Sequence, residues 1–202
     1  MEVDLPRPGK TIRFTLLFLL LLYGTGTAGE SEALAPFEFK AMTRATQCRD
    51  EVLQEFDKFL SRGRLNLGQL FDTFYIPVPG THPQKFKTQY DGAFDEVLRI
   101  LFDKYLEMDE RYLYVVATDR NGYVPTHNSR YSKPLTDDPD YNARNNRTKQ
   151  IHNDRVGLAA ARSRRNFLLQ NYQRDTGEVL HDLSVPIVYK GKHWGAIRLG
   201  FR

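Results

Sequence analysis

Residues 112–128 read Y-L-Y-V-V-A-T-D-R-N-G-Y-V-P-T-H-N and constrain the fold more than any other stretch. An apolar, β-branched run meets the turn Asp119-Arg120-Asn121-Gly122, and a second extended run follows. Asn-Gly supplies the backbone that a tight hairpin needs at φ > 0. The first run is apolar at nearly every position, which predicts a strand covered on both faces. The second run, over 123–128, carries Pro125, which cannot donate a ladder hydrogen bond and so belongs at an edge or a bulge. It ends in Thr126, His127 and Asn128, three polar side chains at the mouth of whatever the sheet builds.

The end of the chain is also β. Strands are predicted over 167–174, 179–189 and 193–201, joined by turns at Asp175-Thr176-Gly177-Glu178 and Lys190-Gly191-Lys192. With the opening hairpin this makes a five-stranded antiparallel sheet, interrupted after its second strand by a polar insert over 129–166. A proline-bearing loop at 130–140 opens the insert, and helices are expected at 142–151 and 154–162.

Upstream, the pattern is helical. Ala45, Cys48, Val52, Phe56 and Phe59 recur at three- and four-residue spacing and predict an amphipathic helix over 37–61, with Gly63 as its stop. A short helix at 67–74 follows, then an irregular Pro/Gly stretch at 76–83. Phe86, Tyr90, Phe94, Val97, Leu101 and Tyr105 mark one face of a helix expected over 84–107, a stripe that reads as core.

Residues 14–23 are an uncharged apolar run behind a basic-flavoured lead, and Gly26-Thr27-Ala28 suits a signal-peptidase site. Ten helical residues reach only about 15 Å, half of a bilayer's hydrocarbon, which favours a cleaved signal peptide over residues 1–29; an uncleaved N-terminal anchor is the rival. Either way a single domain over 37–202 (helical part 37–107, sheet with helical insert 112–202) is expected outside the cytoplasm, periplasmic, secreted or membrane-anchored.

Charge and cysteine content exclude several classes. The chain carries +4, and beyond residue 28 it holds 26 Lys+Arg against 23 Asp+Glu, too mild a balance for nucleic acid. One cysteine, Cys48, allows no intramolecular disulfide, no cysteine zinc site and no CxxCH haem attachment. Its place on the apolar helix face predicts a buried, inert thiol. No nucleophile elbow, P-loop or G-x-G-x-x-G is present, the five histidines lack close metal spacing, and no carboxylate pair is spaced for acid–base work. Catalysis is therefore not expected, and no cofactor or metal is.

Binding is the better expectation. The insert between the second and third strands would fold over the open sheet face and enclose a pocket. From residue 144 to 165 there are seven cations and one acid, Asp154. Arg147 and Arg155 are candidate anion clamps, since guanidinium meets a carboxylate bidentately. His127, Tyr131, Tyr172 and Asp182 could orient a small ligand. Each arginine taken singly also fits a solvated helix face, Tyr172 and Trp194 fit core packing as well as a pocket wall, and His127 fits the cap of a strand.

Five segments in order then look familiar: D-R-N-G-Y-V-P-T-H-N (119–128), N-R-T-K-Q-I (146–151), N-D-R-V-G-L-A-A-A-R (153–162), F-L-L-Q-N-Y-Q-R-D-T-G-E-V-L-H-D-L-S-V-P-I (167–187) and G-K-H-W-G-A-I-R-L-G-F (191–201). R-G-R-L-N-L-G-Q-L-F-D-T-F-Y-I-P-V-P-G-T (62–81) fits as well. Together they closely resemble the extracytoplasmic sensor domain of a group of bacterial methyl-accepting chemotaxis proteins, of the Cache-like, PAS-related class. The resemblance implies an α+β fold: a long N-terminal helix and helical insert around a five-stranded antiparallel sheet. It implies signal perception, and a ligand cavity near His127, Asn128, Tyr131, Arg147, Arg155, Tyr172 and Asp182. The cation excess of the insert, rather than the resemblance, points to a small anionic metabolite as the ligand. Because the chain stops at Arg202, a stand-alone exported module is expected, with a membrane receptor or kinase as its partner. Some related domains hold haem through CxxCH; its absence here excludes c-type haem. The alternatives are a redox, non-covalent haem or metal-binding protein on the same scaffold, and a partner-binding adaptor.

Overall fold

The computed structural model describes residues 34–173 and 179–202, with backbone only at 172 and 173. The expected signal segment and the turn at 175–178 lie outside the described residues. No helix among those described is long and apolar enough to cross a membrane.

Helix α1 (Pro36–Ser61) buries Ala41, Ala45, Cys48, Val52, Phe56 and Phe59 along one stripe. Pro36 at its first position needs no N–H partner, and Glu38 reaches back to accept from the Ala35 N–H. Gly63, at φ +66, takes the left-handed turn that ends it. Burial pushes the Cys48 thiol far up, so the inert reading holds.

Helix α2 (Leu67–Leu70) is shorter than the pattern over 67–74 suggests. Asn66 and Gln69 cap its start reciprocally. Its end is fixed by Trp194, whose indole N–H donates to the Leu70 carbonyl at 2.8 Å. The stretch expected to be irregular instead holds strand β1 (Ile76–Val78), paired antiparallel with β2 (Lys85–Lys87). Pro77 is tolerated because this ladder is only two strands wide. Helix α3 (Asp91–Leu106) therefore starts later than the apolar stripe predicts, where the Asp91 carboxylate accepts from the Thr88 hydroxyl at 2.8 Å and the Thr88 N–H at 3.2 Å.

The main sheet is antiparallel, in the order β3 (Tyr112–Asp119), β8 (Lys192–Phe201), β7 (Val179–Tyr189), β6 (Leu168–Gln173). It has four strands where five were expected. The run after the Asn-Gly turn forms only a two-residue strand, β4 (Tyr123–Val124), which pairs with β5 (Gln150–Ile151). It meets β3 at one isolated bridge, Val116 to His127. Side chains have taken the groups a full ladder would use. The Asp119 carboxylate accepts from the Asn121 and Tyr123 N–H groups, both at 2.9 Å. The Thr118 hydroxyl donates to the Tyr123 carbonyl, and Pro125 has no donor to offer.

The insert carries α4 (Pro139–Asn145), which replaces the helix expected over 142–151, and α5 (Arg155–Arg162). Asp138 and Asp154 cap them through backbone N–H groups. Period-two alternation divides the sheet. One face (Tyr112, Val115, Ala117, Leu183, Val185, Ile187, Ile197, Leu199) joins the core with α1 and α3. Trp194 belongs wholly to this core, ringed by Phe56, Phe94 and Tyr90 at 5.4–5.9 Å. The other face carries Tyr114, Val116, Arg198, Asp182 and Ser184 and lies under α5, which the Gln170 amide clamps through the Val156 carbonyl at 3.0 Å.

Candidate functional site

Between that second face and the insert lies a cavity of about 330 Å³, lined by Tyr114, Val116, Val124, His127, Arg147, His152, Asp154, Val156 and Arg198. Its floor comes from adjacent strands. Val116, Arg198 and Ser184 are level across β3, β8 and β7, and Tyr114, Gly200 and Asp182 are level one pleat away.

An ion pair between the two rows is the most heavily charged element of the floor. Arg198 donates from Nε to Asp182 Oδ2 at 2.9 Å, and its Nη2 reaches the same oxygen. The Tyr114 hydroxyl donates to it from the far side at 2.8 Å. Tyr114 must cross β8 to do so, and Gly200 lets it: a Cβ there would lie 2.1 Å from the tyrosine ring. Burial opposes the Arg198 charge, but the Asp182 carboxylate outweighs it and holds the guanidinium firmly protonated. Gly200→Ala should cost about 2 kcal/mol through overpacking. It should also detach Tyr114 from Asp182, which a shift in tyrosine near-UV dichroism alongside a denaturant titration would register.

The roof holds Arg147. The buried Lys85 ammonium donates to the carbonyls of Asn146 (3.3 Å) and Thr148 (2.7 Å), the residues on either side of Arg147, and to Asn146 Oδ1 (2.7 Å). Burial, then Lys149, bring Lys85 down to about 8. The Arg147 N–H is anchored on the Tyr131 carbonyl at 2.8 Å, and its guanidinium lies 5.6 Å from the Tyr131 ring centre. The N-R-T-K-Q-I segment is thus a backbone device for presenting one guanidinium.

Two imidazoles complete the wall. His127 packs edge-on to Tyr131 at 5.0 Å, and its Nδ1 is buried with no partner. Burial first, then His152, Arg147 and Arg198, push its pKa well below the ordinary value. His152 is lowered to about 4 by burial and then by Arg198 and Arg147. Both rings are neutral at pH 7 and can each donate and accept. The His152 backbone is seated by the hairpin turn: its N–H donates to the Gly122 carbonyl at 2.8 Å, and a Cβ on Gly122 would lie 2.4 Å from the His152 carbonyl oxygen. Burial raises the Asp154 carboxyl, but the Gly157 N–H and Arg198 outweigh it and keep it low.

Of the residues expected from sequence, His127 and Arg147 line the cavity. Tyr131 backs both of them, and Asp182 holds Arg198 from below. Asn128 is buried with neither amide atom partnered, but it is not on the wall. Arg155 is exposed at the first turn of α5, which turns Val156 to the cavity instead. The Tyr172 backbone pairs with Leu180 in β6–β7, and its side chain lies outside the described residues. Arg198, Tyr114, His152 and Asp154 join the site unforeseen. The signal for Arg198 was a cation inside the apolar run from Trp194 to Phe201, matched by Asp182 in the neighbouring strand. Among the described residues no three His, Cys, Asp or Glu side chains are grouped to hold a metal ion.

No protein-family model matches the chain, and no curated protein does. Among solved structures it aligns with an extracellular ligand binding receptor from Desulfohalobium retbaense, at 14% identity and a TM-score of 0.36. The alignment takes in 82% of this chain but 25% of the receptor, so the chain spans about a quarter of that protein's length.

Proposed function

We propose that this chain is an extracytoplasmic sensor module of the chemoreceptor type, PAS/Cache-like in plan, that perceives a small organic anion and does not transform it. The observation that carries the reading is the cavity under α5, with Arg147 and Arg198 on its wall beside two neutral histidines. Arg198 is already neutralised by Asp182, whereas no ion pair involves Arg147 among the described residues. Asp154, ionised on the same wall, is engaged through Oδ1 by the Val156 and Gly157 N–H groups, which leaves the Arg147 guanidinium to meet a monoanion. Val116, Val124 and Val156 give its body an apolar wall. The volume corresponds to roughly ten waters' worth of space, which suits a short-chain or small-ring carboxylate.

Native against denaturing mass spectrometry of the purified chain should show an added small mass that is lost on denaturation. Titration calorimetry with a panel of small monocarboxylates should then identify a binder. Arg147→Ala should weaken it by about 1.5–3 kcal/mol, the cost of a buried charged hydrogen bond. Undiminished affinity in that variant would remove Arg147 from the site, and a panel with no binder would overturn the small-anion reading.

A further inference from the structure

The two ends of the domain differ in charge pairing, and the difference identifies a second surface. Phe37 packs edge-on to Phe201 at 5.2 Å, and the Arg202 N–H donates to the Arg111 carbonyl, so α1 begins where β8 finishes. A groove at that end is walled by Asp103, Glu107, Asp109 and Glu110 together with Arg130, and Asp109 is paired with Lys40 and Arg111, so both signs of charge meet there. The opposite end is basic. Arg120 tops the β3–β4 turn, Lys190 and Lys192 flank the β7–β8 turn, and Arg162, Arg164 and Arg165 follow the end of α5; all six are exposed.

Three contacts bring these segments together. The Arg120 N–H donates to the Trp194 carbonyl at 2.8 Å, and His193, between Lys192 and Trp194, bonds through Nε2 with the Ala161 carbonyl at 2.8 Å. A small recess is walled jointly by Phe71, Asp72, Thr73, Asp119, Arg120 and Trp194. Cations elsewhere commonly have carboxylate partners, as Lys104 has Glu51, Arg64 has Glu96 and Lys149 has Asp95. None of these six is in an ion pair among the described residues. Beside them the chain presents Phe74 at 76% exposure and Ile76 at 54%, while Tyr75 between them turns inward to donate to Asp119.

We propose that this end docks on a membrane surface rich in anionic phospholipid headgroups. Unpaired guanidinium and ammonium groups approach the phosphates, and Phe74 and Ile76 enter the boundary between headgroups and acyl chains. Charge alone would suit a soluble polyanion equally. The two exposed apolar side chains beside the charge favour a lipid surface. This surface is separate from the cavity and does not depend on what the cavity binds.

The test uses the full chain with vesicles of phosphatidylcholine alone, or of phosphatidylcholine mixed equally with phosphatidylglycerol. The readout is local amide hydrogen exchange, so the apolar stretch at 14–23, which can hold the chain to either vesicle, does not enter it. Anionic vesicles should slow exchange in 71–76, 118–122 and 161–166, and neutral vesicles should not. The triple variant Arg162→Glu/Arg164→Glu/Arg165→Glu should abolish the slowing of exchange in these segments on anionic vesicles. Phe74→Ser should weaken it several-fold, and both changes are at exposed positions that leave the core intact. Protection that is equal on both vesicles, or absent from these segments, would overturn the proposal. So would protection by soluble dextran sulfate that matches the anionic vesicles while Phe74→Ser has no effect, because the surface would then read charge and not lipid.

Discussion

Asp182→Ala should lower the unfolding free energy by about 3–5 kcal/mol, the largest effect expected of any single change on the cavity side of the sheet. The carboxylate is fully buried and is the only carboxylate paired with Arg198 among the described residues. Removing it leaves a guanidinium in a low-dielectric floor beside Arg147 and takes away the carboxylate to which the Tyr114 hydroxyl donates. The cost arises from the orphaned charge more than from the lost bond, and that distinction can be tested. Asp182→Leu/Arg198→Met removes both charges, and its stability should return to within about 1–2 kcal/mol of the parent, since a packed apolar pair replaces a buried ion pair at little net cost. Urea titrations of parent, single and double variants would decide it. If the single variant loses less than about 1 kcal/mol, Arg198 must have swung to solvent, and the floor as described would not be rigid. If the double variant is no better than the single one, the loss comes from packing and not from charge.

How much of this was legible in the sequence depends on whether a residue's role is set by its neighbours in the chain. The α1 stripe from Ala45 to Phe59 is set locally by helical period, and it emerged as read. So did the β7 limits and the turn at Gly191, where alternation and turn chemistry coincide. The fifth strand failed because its backbone partners were taken by Asp119 and Thr118, side chains that also read well as strand or turn residues. The aromatic stripe over 86–105 hid a boundary for a similar reason: Phe86 packs against the core from β2, whereas Tyr90 and Phe94 do so from the start of α3.

The site divides along the same line. Arg147 stood out through the cation excess of the insert, but Arg155 shared that signal and is exposed. Composition cannot say which helical position faces inward; the Asp154 cap sets that phase and gives the inward place to Val156. Arg198 and Asp182 lie 16 residues apart and meet only through the β7–β8 register, which Gly191 and the bulge near Ile187 establish. Gly200 is the part least readable in advance. Its meaning is the absence of an atom beneath the Tyr114 ring, a requirement imposed by another strand.

Stability should also fall as the pH is lowered from about 7 to about 5, and the cavity histidines should be the cause. His152 has its pKa brought from 6.5 down to about 4 in the folded chain, and burial holds His127 well below its ordinary value. In the unfolded chain both return to about 6.5. Between those values the unfolded state binds more protons than the folded one, so unfolding is favoured as pH falls, and the loss levels off only below the folded values. His152 alone should remove about 2 kcal/mol by pH 5, and His127 adds to the loss in the same direction. Buried carboxylates act in the opposite sense: burial raises Asp91 and Asp119, so their contribution grows as pH falls. Substitution of the histidines separates the two. Denaturant titrations at half-unit steps should show the histidine slope in the parent, reduced in His152→Gln and nearly absent in His127→Gln/His152→Gln. A parent curve flat over that interval would mean that the rings reach water and that the cavity is open. A bound anion should flatten the slope as well, because its charge beside the imidazoles raises their folded pKa toward the unfolded value. The same titration repeated with a binder present would then link the histidines to the ligand through protons alone.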